Sequence, residues 1–562
     1  MILFKGILKI KVIFIVIFCR IIIFLCILFG LFGGIVSIKD FLRYERALHL
    51  NVEDMQRIGV ITLFVLLIIV LVMWNDDNIT NSLFLGFAAI VGGYMALNIG
   101  ANDVANNVGP AVGSKALSMF GAITIAAICE ISGALIAGGE VVDTVRSGII
   151  SMDAIGDSRN FATLMLAALL SGAIWLHFAT AIGAPVSTTH SIVGGILGAG
   201  IAAGGFGVAN WMEFGNIAAS WIISPVSGGI IAALLLFFIK NTITYKQDKK
   251  QAAKRVVPYL IAFMTWAFTL YLINKGLKNV IAVDFASALI VSIVLAVVVF
   301  LIVRVMIANA VESMENKKEE INKLFTIPLI FSAALLSFAH GANDVANAIG
   351  PLVAIYDALK EGFSLGSQTS IPFWIMFLGG LGISIGLALF GPKLIRMVGS
   401  EITELDQIRA FCISMSAALT VLIASELGMP VSSTHIAVGA VFGVGFLREY
   451  LKKRYKQMEL KILESYKGND SEQIRRFLER FRRASIKKKA AILKSIDRKK
   501  AKRKEGIPEI KKKEQKQLKK VYQEELVKRS AINKIIAAWL ITVPLSALLG
   551  AVSFFVLRWM GI

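Results

Sequence analysis

Residues 100–110 read GANDVANNVGP, and residues 341–351 read GANDVANAIGP. Both stretches stand inside long apolar runs. An ionised aspartate at the centre of a bilayer costs ~2.5–3.5 kcal/mol even on the mildest insertion scale, so a chain that places one there twice must partner it or use it. The recurrence is not isolated. APVSTTHSIVGGILGAG at 184–200 returns as MPVSSTHIAVGAVFGVG at 429–445, and WIISP at 221–225 is answered by WLITVP at 539–544. Three motifs returning in one order are an internal duplication, the feature that most narrows what this chain can fold into.

The membrane setting follows from composition. Of 562 residues, 56% are hydrophobic and the mean hydropathy is +0.72, against an apolar share of ~45–50% in soluble proteins. Runs such as 60–74, 161–180, 217–239, 281–303 and 535–557 approach or exceed the ~20 apolar residues that cross a bilayer as a helix. Hydropathy as a whole gives about fourteen membrane segments. Period-2 alternation is absent, which excludes a β-barrel. The run 12–38 follows Lys5, Lys9 and Lys11 and contains Arg20; without a small-x-small cleavage site it reads as a retained helix rather than a signal peptide. Cys19, Cys26, Cys129 and Cys412 all lie in apolar segments with no metal-like spacing and read as packing residues.

Between the first copy, beginning near Leu83, and the second, beginning near Phe325, hydropathy marks about seven crossings. An odd number turns the second copy upside down. Loop charge agrees: 240–255 and 304–324 are basic, whereas 204–216 contains no Lys or Arg, the asymmetry expected of cytoplasmic and external loops. The N-terminal loops decide weakly. The fold class is therefore an all-α polytopic membrane protein: two inverted-topology repeats with broken helices and re-entrant hairpins, plus a basic helical cytoplasmic insertion. The expected organisation is two additional N-terminal helices in 1–82, repeat one in 83–239 and connecting helices and loops in 240–324. Repeat two begins in 325–447, is interrupted by the insertion at 448–530, and ends in a final helix at 531–562.

Nearly all of the formal charge of +21 lies in that insertion, where residues 448–529 hold 30 Lys/Arg against 12 Asp/Glu. The segment reads as a cytoplasmic module close to the membrane, with anionic lipid as a partner at ~1 kcal/mol per basic residue near the surface. No nucleic-acid recognition motif accompanies it.

Inverted repeats point to a transporter whose site lies where helices break. Around Asp103 and Asp344, Gly100 and Gly341 are expected to loosen the helix, Pro110 and Pro351 remove a backbone donor, and Asn102, Asn106, Asn343 and Asn347 supply amide groups. Hard oxygens and unwound carbonyls are what Na⁺ requires, so Asp103 and Asp344, with Asn102 and Asn343, are the candidate cation ligands. Mutual capping of Asp and Asn at a kinked helix end is the structural alternative. In PVSTTH at 185–190 and PVSSTH at 430–435 a proline interrupts the apolar run and hydroxyls open the next helix. Free N–H groups at such a terminus bind anions, which makes Ser187, Thr188, Ser432 and Ser433 candidate donors to a tetrahedral oxyanion; ordinary N-capping explains either copy alone. His190 and His435 are read as packing residues, or as supporting and proton-linked groups because their placement matches. Glu130 and Glu426 also lie in apolar surroundings; Glu426 corresponds to Ala181 and reads as a snorkelling or capped glutamate, with asymmetry between the halves or a proton-sensitive group as the alternative.

These residues resemble the inorganic phosphate transporter family, the sodium- or proton-coupled PiT type, whose signature GANDVANA occurs once in each of two inverted halves. The resemblance covers the chain from about Leu83 to the C-terminus, excepting the insertion. It implies a symporter of inorganic phosphate in the cell membrane (plasma or inner), with no cofactor beyond the coupling ion, Na⁺ or H⁺. It also implies that Asp103, Asp344 and the four asparagines coordinate cation and phosphate, Asn106 and Asn347 on the phosphate side and Na⁺ at Asp103 and Asp344, while Ser187, Thr188, Ser432 and Ser433 contact phosphate. Asn107 stands where the signature has alanine, and Ser433 where the first copy has threonine. A homo-oligomer is compatible with this reading. A sulfate transporter, a phosphate-sensing scaffold acting through the insertion, and a membrane enzyme on phosphoryl groups are the rivals; no nucleophile–base pair or metal cluster supports the last.

Overall fold

The computed structural model describes residues 52–75, 79–150, 152–182, 186–277, 284–360, 370–401, 405–451 and 529–562. The N-terminal helix expected at 12–38, Pro185 and almost the whole basic insertion lie outside the described residues. What is described is helical, with one isolated bridge between Ile150 and Ala209. Eleven helices are long and apolar enough to cross a membrane among the described residues. The chain is a multi-pass membrane protein.

Helix α1 (Val52–Asn75) precedes the first copy, which opens with α2 (Ile79–Asn102) and α3 (Val104–Gly113), followed by α4 (Met119–Ala137) and α5 (Gly139–Asp143), which runs into a π-helical turn at Thr144–Gly148. Ser118 starts α4 by accepting the Gly121 N–H. Next come α6 (Ser158–Ile182), α7 (Thr188–Gly204) and α8 (Trp211–Ile239). Two connecting helices, α9 (Lys249–Leu272) and α10 (Phe285–Glu312), are capped by Asp248 and Asp284. The second copy comprises α11 (Thr326–Leu359), α12 (Phe373–Glu401), α13 (Gln407–Glu426), α14 (Ser433–Leu451) and α15 (Arg529–Trp559).

Hydropathy treats α6 and α7 as two crossings, but they form one hairpin. The Asn210 N–H bonds Ile149 O at 2.9 Å, Ile150 bridges Ala209, and Gly204 packs on Ile155, so the strap before α6 and the strap after α7 meet on one face. Because the hairpin begins and ends on one face, the number of passes between the copies stays odd whether or not its two arms span the bilayer.

Contacts between the copies are reciprocal. Helix α4 of the first copy packs on α11 of the second, and α12 of the second packs on α2 of the first; likewise α7 packs on α15 and α14 on α8. The closest approaches match position by position. Gly341 lies against the Glu130 backbone as Gly100 lies against that of Ile383, and Gly133 meets Phe338 O as Gly386 meets Leu97 O. Gly198 meets Ala547 O, and Gly443 meets Gly229 O. A Cβ at these glycines would collide with backbone, so their role is close helix packing rather than the loosening expected at Gly100 and Gly341. Contact through small residues is how helices associate in lipid, where apolar burial gives no net drive.

Helices α2 and α11, which carry the two copies of the signature, are antiparallel. Asn81, at the start of α2, donates to Leu359 O at the end of α11 (3.1 Å). At the opposite face Gln407 donates to Ser114 O just beyond α3, and Asn322, just ahead of α11, accepts the Ile408 N–H.

Candidate functional site

Asp103 interrupts the first copy. It separates α2 from α3, its N–H still bonding Ile99 O while its own carbonyl accepts the Asn106 N–H in a tightened turn. In the second copy α11 continues through Asp344 and Pro351 as one helix, so the paired kinks expected from the motif reduce to one. Both carboxylates are nevertheless buried at the centre of the molecule, at 1% and 0% exposure.

The hairpins bring their hydroxyls to these carboxylates. Thr434 Oγ1 donates to Asp103 Oδ1 at 2.9 Å, and Thr188 also bonds the Asp103 side chain. Ser433 Oγ donates to Asp344 Oδ2 at 2.9 Å. Asn106 donates to Thr434 (3.0 Å), and its counterpart Asn347 donates to Thr188 and Thr189 (3.2 and 3.1 Å). Each amide thus reaches the hairpin of the other copy. Asn102 donates to Thr180 (2.9 Å) as Asn343 donates to Ser425 (3.1 Å), and Asn343 further holds Met429 O and the Val431 N–H.

All of the predicted site residues gather here. Ser187 and Ser432 act as caps: their oxygens accept the N–H groups of His190 (3.1 Å) and His435 (3.3 Å), starting α7 and α14 at the centre of the site. The hydroxyl protons of Ser433 and Thr434 are committed to carboxylates. Unpaired acceptors stand beside them: Asp344 Oδ1 and Asn347 Oδ1 are buried without a hydrogen-bond partner among the described residues, which is chemistry that a cation satisfies. His190 and His435 lie side by side, ring centroids 4.6 Å apart, with Trp221 3.9 Å from His190.

Three contributors escaped the sequence reading. Thr189 and Thr434 close each hydroxyl run, and repetition of that third hydroxyl in both copies was the available signal. His340 is the larger omission. Its Nε2 lies 2.9 Å from Asp344 Oδ2 and its Nδ1 2.8 Å from Glu130 Oε2, while Asn107 donates to Glu130 Oε1 at 3.1 Å. Asp103, His340 and Asp344 each offer a ligand atom, all within 4.8 Å of one another. A histidine one turn before an intramembrane aspartate was legible as HGAND; only in space does it meet Glu130. Glu426 does not snorkel alone: Lys275 pairs with it at 3.5 Å and also with Glu140.

Residues 99–550 match the sequence profile of the phosphate transporter family. A Helicobacter pylori (strain J99) protein named "Putative phosphate permease" is 54% identical over 525 residues, covering 92% of this chain and 98% of its own. A Pyrococcus horikoshii protein given the same name is 40% identical over 378 residues, 66% of this chain and 89% of its own. Among solved structures, one titled "The sodium-dependent phosphate transporter" aligns with a TM-score of 0.68 at 30% identity, covering 85% of this chain and 99% of that one. With a site built from both copies and a family match extending over most of its length, the chain belongs to the phosphate transporter family.

Proposed function

We propose that the protein imports inorganic phosphate across the cell membrane by symport with Na⁺. The observation that carries this reading is the reciprocal pairing of Asn106 with Thr434 and Asn347 with Thr189 around two buried carboxylates. The N-termini of α7 and α14 open at the same centre, and a helix of 17 or 19 residues presents free N–H groups and positive partial charge to an oxyanion. A phosphate dianion brought into so dry a place needs cations beside it, because burying charge without compensation is prohibitive. Asp103 and Asp344 hold those cations, with Asn102 and Asn343 fixing the flanking backbone and hydroxyls. Support for Na⁺ comes from the hard-oxygen donor set and from the sodium dependence in the solved relative's title.

In this mechanism cation binding comes first and completes the electrostatics of the phosphate pocket. The two hairpins then move against the helices that carry the carboxylates, exchanging exposure between the faces. The face bearing the basic loops 240–255 and 304–324 is cytoplasmic, which orients the copies oppositely across the bilayer.

Uptake of radiolabelled phosphate into proteoliposomes tests this. A sodium gradient at equal pH drives accumulation, and excess unlabelled sulfate leaves it intact. Accumulation driven by a pH gradient without sodium would assign the coupling to H⁺, and equal displacement by sulfate would widen the substrate to tetrahedral oxyanions.

A further inference from the structure

Among the positions at which the two copies differ around the centre, three are in contact with one another. The motif register pairs Ile99 with His340 and Asn107 with Ala348. The reciprocal packing of Gly100 on Ile383 and Gly341 on Glu130 pairs Ile383 with Glu130. One side therefore carries Asn107, Glu130 and His340; the other carries Ala348, Ile383 and Ile99, all fully buried.

The polar set is continuous. Asn107 on α3 donates to Glu130 on α4 (3.1 Å), Glu130 bonds Nδ1 of His340 on α11 (2.8 Å), and Nε2 of His340 lies 2.9 Å from Asp344 Oδ2 as an ion-pair contact without hydrogen-bond geometry. Oδ2 also accepts from Ser433, and Oδ1 has no partner among the described residues. On the other side Asp103 is held by hydroxyls of Thr188 and Thr434, and the positions that would brace it are aliphatic. Burying a carboxylate, an imidazole and an amide at 0–1% exposure where three apolar residues fit in the mirror position is costly. The cost calls for a use.

We propose that Asn107, Glu130 and His340 are positioning residues that fix the Asp344 carboxylate by its Oδ2 and turn Oδ1 toward the coupling cation, making the two cation sites unequal. The inference rests on the reading that Asp103 and Asp344 bind the coupling cations. The braced site is preorganised, as a metal ligand is by the hydrogen bonds behind it. The Asp103 site, set at the break between α2 and α3, is the adaptable one.

The test replaces the chain with the apolar set of the other copy, Asn107→Ala/Glu130→Ile/His340→Ile. Removing all three together orphans no member of the set, and Asp344 Oδ2 keeps its Ser433 hydrogen bond, so the variant should still insert and fold. In proteoliposomes the sodium concentration for half-maximal phosphate uptake is expected to rise ~10-fold or more, the loss typical when a ligand's supporting partner is removed. The phosphate KM at saturating sodium should stay within about threefold, because the brace acts on the cation ligand alone. Glu130→Gln, which keeps a hydrogen bond to His340, should recover part of the shift. Unchanged sodium dependence in the triple variant overturns the proposal, as does a phosphate KM that rises as much as the sodium requirement. If the triple variant does not reconstitute, His340→Gln replaces it, and unchanged sodium half-saturation there is equally fatal. Uptake by wild type that ignores sodium would instead remove the underlying cation-site reading.

Discussion

His190 and His435 occupy equivalent positions in the two copies and face each other edge-on, their ring centroids 4.6 Å apart. The side-chain pairings between the two copies are reciprocal around this contact. Asn106 pairs with Thr434 and Asn347 with Thr189, as within each copy Asn102 pairs with Thr180 and Asn343 with Ser425. A site built from such pairings is assembled from both halves at once, which is why neither half carries it alone.

The hydroxyls that close each hairpin are expected to matter as much as the signature aspartates. Thr434 lies between Asp103 and Asn106, and Thr434→Val leaves a buried carboxylate and a buried amide short of a partner. At ~1–3 kcal/mol per orphaned group, phosphate uptake should fall at least tenfold while the protein still inserts. Thr189→Val, which strips Asn347 of one acceptor, should act in the same direction but more weakly, since Thr188 remains. Initial uptake rates normalised to reconstituted protein give the comparison.

Gly100 and Gly341 should tolerate no side chain. Their Cβ positions are filled by the Ile383 and Glu130 backbones, and forcing a methyl or larger group against immovable backbone costs ~1–3 kcal/mol or more. Gly100→Val and Gly341→Val should each lower the melting temperature in detergent, whereas Gly215→Val, with open space around it, should not.

The architecture was legible in the sequence to the extent that it depended on recurrence. Three repeated motifs revealed the duplication, and their polar residues revealed where apolar helices meet the site. What escaped was contact between different helices. Glu130 on α4 and His340 on α11 are 210 positions apart and bond at 2.8 Å, and no periodicity links them. Gly341 looked like a flexible point because glycine loosens an isolated helix; packed on Glu130 it permits close approach instead. The motifs pointed to re-entrant hairpins, yet the hydropathy count takes α6 and α7 as two crossings, because hydropathy measures apolar length and not whether a segment returns.

Opposite orientation of the copies has its own test. Phe206 and Tyr245 are both exposed, at 70% and 57%, in loops of contrasting charge. In intact cells a membrane-impermeant thiol reagent should label Phe206→Cys and should label Tyr245→Cys only after permeabilisation, with wild type measuring the background from native cysteines. Labelling of both from one side would remove the inversion.

The most direct measurement is equilibrium binding of radiolabelled phosphate to purified protein, with and without sodium, in wild type, Asp103→Asn and Asp344→Asn. Phosphate and its counter-ions sharing one central pocket predicts binding by wild type that strengthens at least tenfold with sodium, and loss of that enhancement in both variants. Sodium-enhanced binding that persists undiminished in both would contradict it.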